Sequence, residues 1–338
     1  MSHGVNKVQS RICRKRGSSR LVTMEKDSGM RSEFQSVIGV DTHVLKFGEL
    51  PPPSQHTALL FLIIPGNPGI IEYYEEFMRT LYHLSNCQTP VWGIAHAGHV
   101  SLHNRTSSLT DLVQMPPDEF SLQGQIRHKI AFVRQNVPEH VKIVMIGHSI
   151  GCYIGLKMMD SLQDHHVLRC FMLFPTIERM AVSPRGLYAT PFLRYFRWMG
   201  VLASKFLSYF SPHMQYRLIL RFFKNRKAPE CALNASMNLF DPCCVNNFTF
   251  MALQEMDEVT KLPKELIKRY LSKLSFYYGS SDHWCPKEYF YQMKKRFPHA
   301  DLRLCEHGYS HAFILDASEE IAYTVWNWLQ GDLHKLND

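Results

Sequence analysis

The feature that most narrows the choice of fold is the pentapeptide Gly147-His148-Ser149-Ile150-Gly151, set directly after the apolar run Val141-Lys-Ile-Val-Met-Ile146. It is followed by Cys152-Tyr-Ile-Gly-Leu-Lys-Met-Met159, which reads as a helix. A strand, a glycine-bounded serine and a helix in that order describe a sharp turn that lifts the serine hydroxyl above the edge of a sheet. Glycine is needed on either side because a Cβ there would collide with neighbouring backbone. Gly147, His148 and Gly151 are therefore expected to form an elbow around Ser149. The motif alone is only moderately specific. Its place between strand and helix gives it weight.

The rest of the chain repeats that rhythm. Ala58-Leu-Leu-Phe-Leu-Ile-Ile64 ends at Pro65-Gly66, and Val91-Trp-Gly-Ile-Ala95 is a second apolar run. Leu168 to Phe174 stops at Pro175, Leu274-Ser-Phe-Tyr-Tyr278 stops at Gly279, and Leu302-Arg-Leu-Cys305 is the last. Ser36 to Phe47 can supply one or two edge strands. Apolar runs of strand length alternating with helix-length segments predict an α/β chain with a mainly parallel central sheet flanked by helices. Between Phe174 and Leu274 no strand pattern appears. An insertion at about 178–270 is expected to form a helical cap over the C-terminal edge of the sheet, where sites form.

Charge and cysteine content exclude several function classes. The net charge is +8, but Lys7, Arg11, Arg14, Lys15, Arg16 and Arg20 supply six of it within residues 1–23, which contain no acid. The two charges left for the body give nucleic-acid binding little electrostatic support. Residues 1–23 lack the apolar core of a secretory signal. Residues 1–34 are expected to be a basic, disordered extension ahead of a domain spanning 35–338. Nine scattered cysteines without a C-x-x-C pair indicate neither a disulfide framework nor a zinc site. They read as buried thiols. His96, His99 and His103 have no carboxylate nearby in sequence, and His96 and His99 straddle a glycine. These three are read as loop residues at the rim of a site rather than as metal ligands.

A serine hydroxyl needs a base, and the base needs a third group to hold its tautomer. In this type of fold the partners follow in the order serine, acid, histidine. Asp282 stands in the loop after the run 274–278, in Gly279-Ser-Ser-Asp282, with Glu288 and Asp316 as rivals. His311 stands in Gly308-Tyr-Ser-His311 after the last run, with His307 and His283 as rivals. Position after a strand favours Asp282 as acid and His311 as base. The backbone N–H groups of Ile150 and of Asn67, in Pro65-Gly-Asn-Pro-Gly69, are the candidates for holding an oxyanion. Pro68 has no N–H. His148 is expected to pack or line the site rather than act as base. No metal or organic cofactor is required.

Within the insertion, Phe192, Phe196, Met199, Ala203, Phe206 and Phe210 recur at steps of four and three. That spacing predicts one amphipathic helix over 192–210, with Arg194, Arg197, Lys205 and Ser208 roughly opposite. Its apolar face either rests on a lipid surface or packs on the core. The interrupting charges argue against a spanning helix.

The sequence resembles the lipid droplet-associated hydrolase family, within the α/β-hydrolase superfamily. The resemblance is carried by Ile63-Ile-Pro-Gly-Asn-Pro-Gly69, Pro90-Val-Trp92, Ala95-His-Ala-Gly-His99 and Ile146-Gly-His-Ser-Ile-Gly151. Leu173-Phe-Pro-Thr-Ile-Glu-Arg-Met180, Phe276-Tyr-Tyr-Gly279, Trp284-Cys-Pro-Lys-Glu-Tyr289 and His311-Ala-Phe313 extend it to about residues 35–334. The resemblance implies the α/β-hydrolase fold, with Ser149, Asp282 and His311 in the family's motifs. It implies hydrolysis of lipid esters such as cholesteryl esters, and peripheral or monotopic attachment to lipid droplets and the endoplasmic reticulum on the cytosolic face. The same residues also suit a thioesterase or acyltransferase, or a droplet-bound scaffold with little turnover of its own.

Overall fold

The computed structural model describes residues 22–24, 29–52, 58–101, 117–163, 165–224 and 228–337. Nine strands among them form one sheet: β1 (Val22–Met24), β2 (Met30–Val37), β3 (Val40–Phe47), β4 (Leu59–Ile64), β5 (Val91–Ile94), β6 (Lys142–His148), β7 (Val167–Leu173), β8 (Leu274–Gly279) and β9 (Asp301–Cys305). The order across the sheet is β1-β2-β3-β5-β4-β6-β7-β8-β9. From β5 to β9 every neighbouring pair is parallel, and β1, β2 and β3 add an antiparallel edge. The central parallel strands appear in the sequence as largely apolar runs because helices cover both faces of such a sheet.

The sheet reaches further toward the N-terminus than the boundary expected at residue 35. β2 begins at Met30 and pairs along its whole length with β3, and Val22–Met24 pairs with residues 31–33. Two residues, Ile38 and Gly39, close the β2–β3 hairpin with positive φ of 44° and 81°. Such a turn matches the twist of the strands it joins. Residues 1–21, His103 and Cys13 lie outside the described residues.

The crossovers are helical. α1 (Glu75–Leu84), α2 (Leu122–Asn136) and α3 (Ile150–Ser161) lead into β5, β6 and β7. The cap follows β7 and comprises α4 (Gly186–Tyr195), α5 (Arg197–Ser208), α6 (Pro212–Phe222), α7 (Glu230–Ala235), α8 (Pro242–Glu258) and α9 (Lys264–Tyr270). α10 (Lys287–Arg296) joins β8 to β9, and α11 (Ser318–Asn337) ends the chain. β4 lies between β5 and β6, so the chain leaves it to one side and returns on the other. A parallel sheet gathers its ligands beyond the strand ends at such a switch point.

The cap departs from the expected single helix over 192–210. Phe196, at φ −124° and ψ 9°, leaves the helical region and divides the segment into α4 and α5. The reason lies in how each half docks. Both pack on α8, α5 burying Val201 beside Val245, while Arg197, just past the break, donates to Asn246 Oδ1 at 2.8 Å. Leu193, Arg197, Val201 and Ser204 form the inward stripe, and Leu193, Val201 and Ser204 are buried. The aromatic stripe faces outward instead. Phe192, Phe196, Met199 and Phe206 are 47%, 48%, 48% and 63% exposed, and Phe210 is half-buried. Among the described residues no helix is long and apolar enough to cross a membrane.

Candidate active site

The site forms where four strand ends converge. β6 ends at His148, and Ser149 follows with φ 53° and ψ −122°, a strained conformation that costs on the order of 1–3 kcal/mol and clusters at functional sites. The surroundings hold it there. Its N–H donates to the Leu173 carbonyl at 3.0 Å and its carbonyl accepts from Cys152 N–H at 3.0 Å. Gly151 has no alternative residue, because a Cβ would lie 2.2 Å from the Ile64 carbonyl oxygen.

The loops after β8 and β9 bring Asp282 and His311 to this serine. His311 Nε2 lies 2.9 Å from Ser149 Oγ, and His311 Nδ1 lies 2.6 Å from Asp282 Oδ2. Ser149 Oγ is also 3.4 Å from Thr176 Oγ1, a residue of the Leu173–Met180 block to which the sequence assigns no site role. The rivals are elsewhere: Asp316 is exposed and accepts from Ser310 Oγ, and the His307 ring lies beside Tyr309.

Asp282 is built to remain a carboxylate. Burial pushes its pKa up, but the adjacent His311 ring, the hydrogen bond to it, the Cys285 thiol and the Trp284 amide outweigh burial and hold it below its ordinary value. Oδ1 accepts from the Trp284 and Cys285 amides at 2.7 and 3.2 Å, and Oδ2 accepts from Cys285 Sγ at 3.0 Å. Burial and then the Asp282 charge push the Cys285 thiol well up, so it keeps its hydrogen and donates. Asp282, Cys285 and His311 could by distance hold a metal ion. Hydrogen bonds already engage their ligand atoms with one another.

The turn Gly66-Asn67-Pro68-Gly69 stands across from the elbow, closed by a Gly69 N–H to Gly66 carbonyl bond of 2.7 Å. The Asn67 side chain donates to the Phe248 carbonyl at 2.9 Å and to Glu255 Oε1 at 2.8 Å, both on α8. Glu255 is buried, which raises its carboxyl to about 7 despite the Asn67 hydrogen bond. His96 and His99 are not at the rim of the site as expected. They are buried behind this turn, where His99 Nδ1 donates to the Pro68 carbonyl at 2.6 Å. Ile150 opens α3 directly after Ser149, so its N–H belongs to the first-turn amides that have no partner within the helix.

Above these groups lies a cavity of about 600 Å³. Ser149, His148, His311 and Asn67 line its polar end, and Tyr73, Leu207, Ile219, Phe223, Leu239 and Ile314 line the rest. A cavity of that size and lining accepts a largely apolar ligand. Leu218 and Phe222 of α6 line it as well, yet are 38% and 72% exposed, so they stand at its mouth.

The family model described as lipid-droplet associated hydrolase matches residues 57–314. The chain belongs to the lipid droplet-associated hydrolase family. It is 43% identical to the lipid droplet-associated hydrolase of Gallus gallus over 316 residues, 91% of this chain and 97% of that one. It is 39% identical to the Homo sapiens protein of the same name over 328 residues, 93% and 99% of the two chains. Among solved structures, a laboratory-evolved variant of potato epoxide hydrolase is similar at a TM-score of 0.57 and 16% identity, covering 89% of this chain and 99% of that one. That likeness shows the α/β-hydrolase fold expected from the sequence.

Sequence reasoning missed Thr176, Cys285, Tyr74 and Glu255. Cys285 follows Asp282 by three residues in the same loop and lies in the Trp284–Tyr289 block, but neither signal assigns it a bond to Asp282. Tyr74, which lines the cavity beside His148, and Glu255, behind the turn at Asn67, carry no motif and reach the site through the fold alone.

Proposed function

We propose that the chain is a serine hydrolase of lipid esters, with cholesteryl or related acyl esters as its substrate class, working at the surface of lipid droplets. The observation that carries this reading is the hydrogen-bonded succession Ser149–His311–Asp282 at the polar end of an apolar cavity. In the reaction, Ser149 Oγ attacks the ester carbonyl and His311 Nε2 takes its proton. The amides of Asn67 and Ile150 hold the oxyanion. His311 then gives the proton to the departing alcohol, leaving an acyl-serine. Water, deprotonated by His311, attacks the acyl carbon, and the carboxylic acid leaves as Ser149 regains its proton. Asp282 keeps His311 oriented and offsets its charge.

The droplet surface enters through the cap and the names of the relatives. Tyr188, Phe192, Trp198, Phe206, Tyr209 and Phe222, all on three successive cap helices or just after them, each expose a large apolar side chain. From residue 179 to 229 there are ten Lys or Arg residues and no Asp or Glu. Apolar side chains with interspersed cations suit peripheral attachment to a phospholipid monolayer, on the cytosolic face of droplets and the endoplasmic reticulum.

The test uses a fluorophosphonate probe and labelled cholesteryl ester in a phospholipid emulsion. Labelling lost in Ser149→Ala, with fatty acid released by the wild type alone, is the expected result. Labelling that survives in Ser149→Ala overturns the nucleophile. Labelling without ester turnover redirects the reading to thioester or acyl-transfer substrates.

A further inference from the structure

We infer that His148, the residue before Ser149, is a positioning residue whose ring joins the turn at Gly66 to the loop of His311 in a single one-directional hydrogen-bond relay. The inference rests on the serine-hydrolase reading for its consequence, though not for its geometry.

His148 Nε2 lies 2.8 Å from the His311 carbonyl oxygen, and His148 Nδ1 lies 2.6 Å from the Tyr74 hydroxyl. The Gly66 amide nitrogen lies 2.7 Å from the same hydroxyl. For a neutral ring, only one arrangement of hydrogens satisfies all three contacts. A carbonyl oxygen can only accept, so Nε2 must carry the hydrogen of the ring. A backbone amide can only donate, so the Tyr74 oxygen accepts from Gly66 and directs its own hydrogen at Nδ1. The relay reads Gly66 N–H to Tyr74 O–H to His148 Nδ1, then His148 Nε2–H to the His311 carbonyl. A doubly protonated ring would leave the Tyr74 hydroxyl hydrogen without its acceptor.

The surroundings favour the same state. Burial, with the neighbouring His311 ring, lowers the His148 pKa to about 3, so the ring is neutral through the ordinary working range. Phe313 meets it edge-on at 4.9 Å between ring centres, and the His311 ring lies at 5.4 Å. A neutral neighbour matters at that distance. When His311 takes the serine proton it becomes a cation, and a charged His148 would oppose that step. Gly66 is held close for the same contact: a Cβ there would lie 2.9 Å from Ser149 Cβ and 3.1 Å from His148 Nδ1.

The relay fixes two separations at once. The main chain of the base is pinned by the covalent neighbour of the nucleophile, so the 2.9 Å approach of His311 Nε2 to Ser149 Oγ does not depend on the loop alone. The amide before Asn67 is held by the other end, which orients the turn proposed to bind the oxyanion. Misplacement by about 1 Å in such a site costs roughly a hundredfold in rate.

The experiment has two arms. In the first, the full-length chain labelled with ¹⁵N-histidine is followed by long-range ¹H–¹⁵N correlation, with the His148 signals identified by their loss in His148→Gln. A neutral ring protonated on Nε2 from pH 5 to 8 is expected, and Tyr74→Phe should shift its Nδ1 resonance. In the second, the rate of fluorophosphonate labelling is compared across variants. His148→Phe should lower it about a hundredfold and Tyr74→Phe roughly tenfold. His148→Gln, whose side chain offers an acceptor and a donor one carbon apart as the ring does, should recover much of the loss. A His148 ring that titrates between pH 5 and 8 or carries its hydrogen on Nδ1 overturns the relay. Unchanged labelling in both His148→Phe and Tyr74→Phe overturns its consequence. A wild type that shows the expected tautomer but no labelling overturns the serine-hydrolase reading and leaves the relay standing.

Discussion

Asn67 and Glu255 lie 188 residues apart in the chain and meet in a hydrogen bond of 2.8 Å, which ties the turn facing Ser149 to the longest helix of the cap. The bond places a buried carboxyl behind the proposed oxyanion donor. It also gives the cap a mechanical link to the chemistry, separate from the walls it contributes to the cavity.

Glu255 should imprint its own pH dependence on stability. Burial raises its carboxyl from an ordinary 4.5 to about 7. The folded chain therefore keeps a proton that the unfolded chain has released, and the contribution present below pH 4.5 is lost as pH rises toward about 7. A shift of that size amounts to about 3 kcal/mol. Urea midpoints measured from pH 5 to 7.5 should fall more steeply for the wild type than for Glu255→Gln, whose amide oxygen still accepts from Asn67. Parallel curves would refute the assignment.

Asp282 predicts the opposite sign. Its carboxyl is held below the ordinary value, so its contribution is present above the unfolded carboxylate range and disappears as pH falls through the folded value. Asp282→Asn should leave the fold intact at neutral pH and lower kcat by about 10⁴-fold, because His311 would then settle in the wrong tautomer. Kinetics on a soluble p-nitrophenyl ester would test this, and a loss under tenfold would remove Asp282 from the triad.

Gly151→Ala separates fold from chemistry. A Cβ placed 2.2 Å from the Ile64 carbonyl oxygen must push β4 away from the elbow. Overpacking of this kind costs about 1–3 kcal/mol or more. Thermal unfolding should report the loss, and a midpoint equal to wild type would mean that the elbow tolerates a side chain.

The cap surface is best probed by substitution rather than deletion. α6 supplies Leu218, Ile219 and Phe222 to the cavity, so removing it would open the site as well as strip the surface. Replacing Tyr188, Phe192 and Phe206 with Ser instead should reduce sedimentation with anionic phospholipid vesicles at least tenfold, since each buried aromatic contributes about 1.5–3 kcal/mol. Soluble-ester turnover should stay within twofold. Undiminished vesicle binding would move the attachment to another surface.

Much of the sheet could be read from the sequence because its parallel strands are buried on both faces. Apolar runs such as 58–64 and 141–146 end at glycine or proline, and the strands fall on them. The order of Ser149, Asp282 and His311 was legible for a related reason, since each follows a strand end. The first strands were harder, because β2 has only Met30, Phe34 and Val37 as apolar residues and buries Glu33 and Gln35, so no apolar run marks it. In the cap, periodicity marks one aromatic stripe, and that stripe faces outward. The segment's inward side relies on Val201 and on the polar anchor Arg197–Asn246, a pairing across 49 residues that spacing cannot reveal. Tyr74 is likewise 74 residues from His148 in sequence.

α6 has a cavity side and an exposed side. Ile219 is buried against the cavity, while Phe222, one turn from Leu218, is largely uncovered at its mouth. A displacement of this helix on meeting a monolayer would therefore also reshape the chamber over Ser149. Thermodynamic reciprocity then sets a condition on the pair: whatever factor the monolayer adds to ester affinity, a bound ester must add to residence on the monolayer. On the proposed reading, occupied molecules would linger on an ester-rich droplet, and emptied ones would let go.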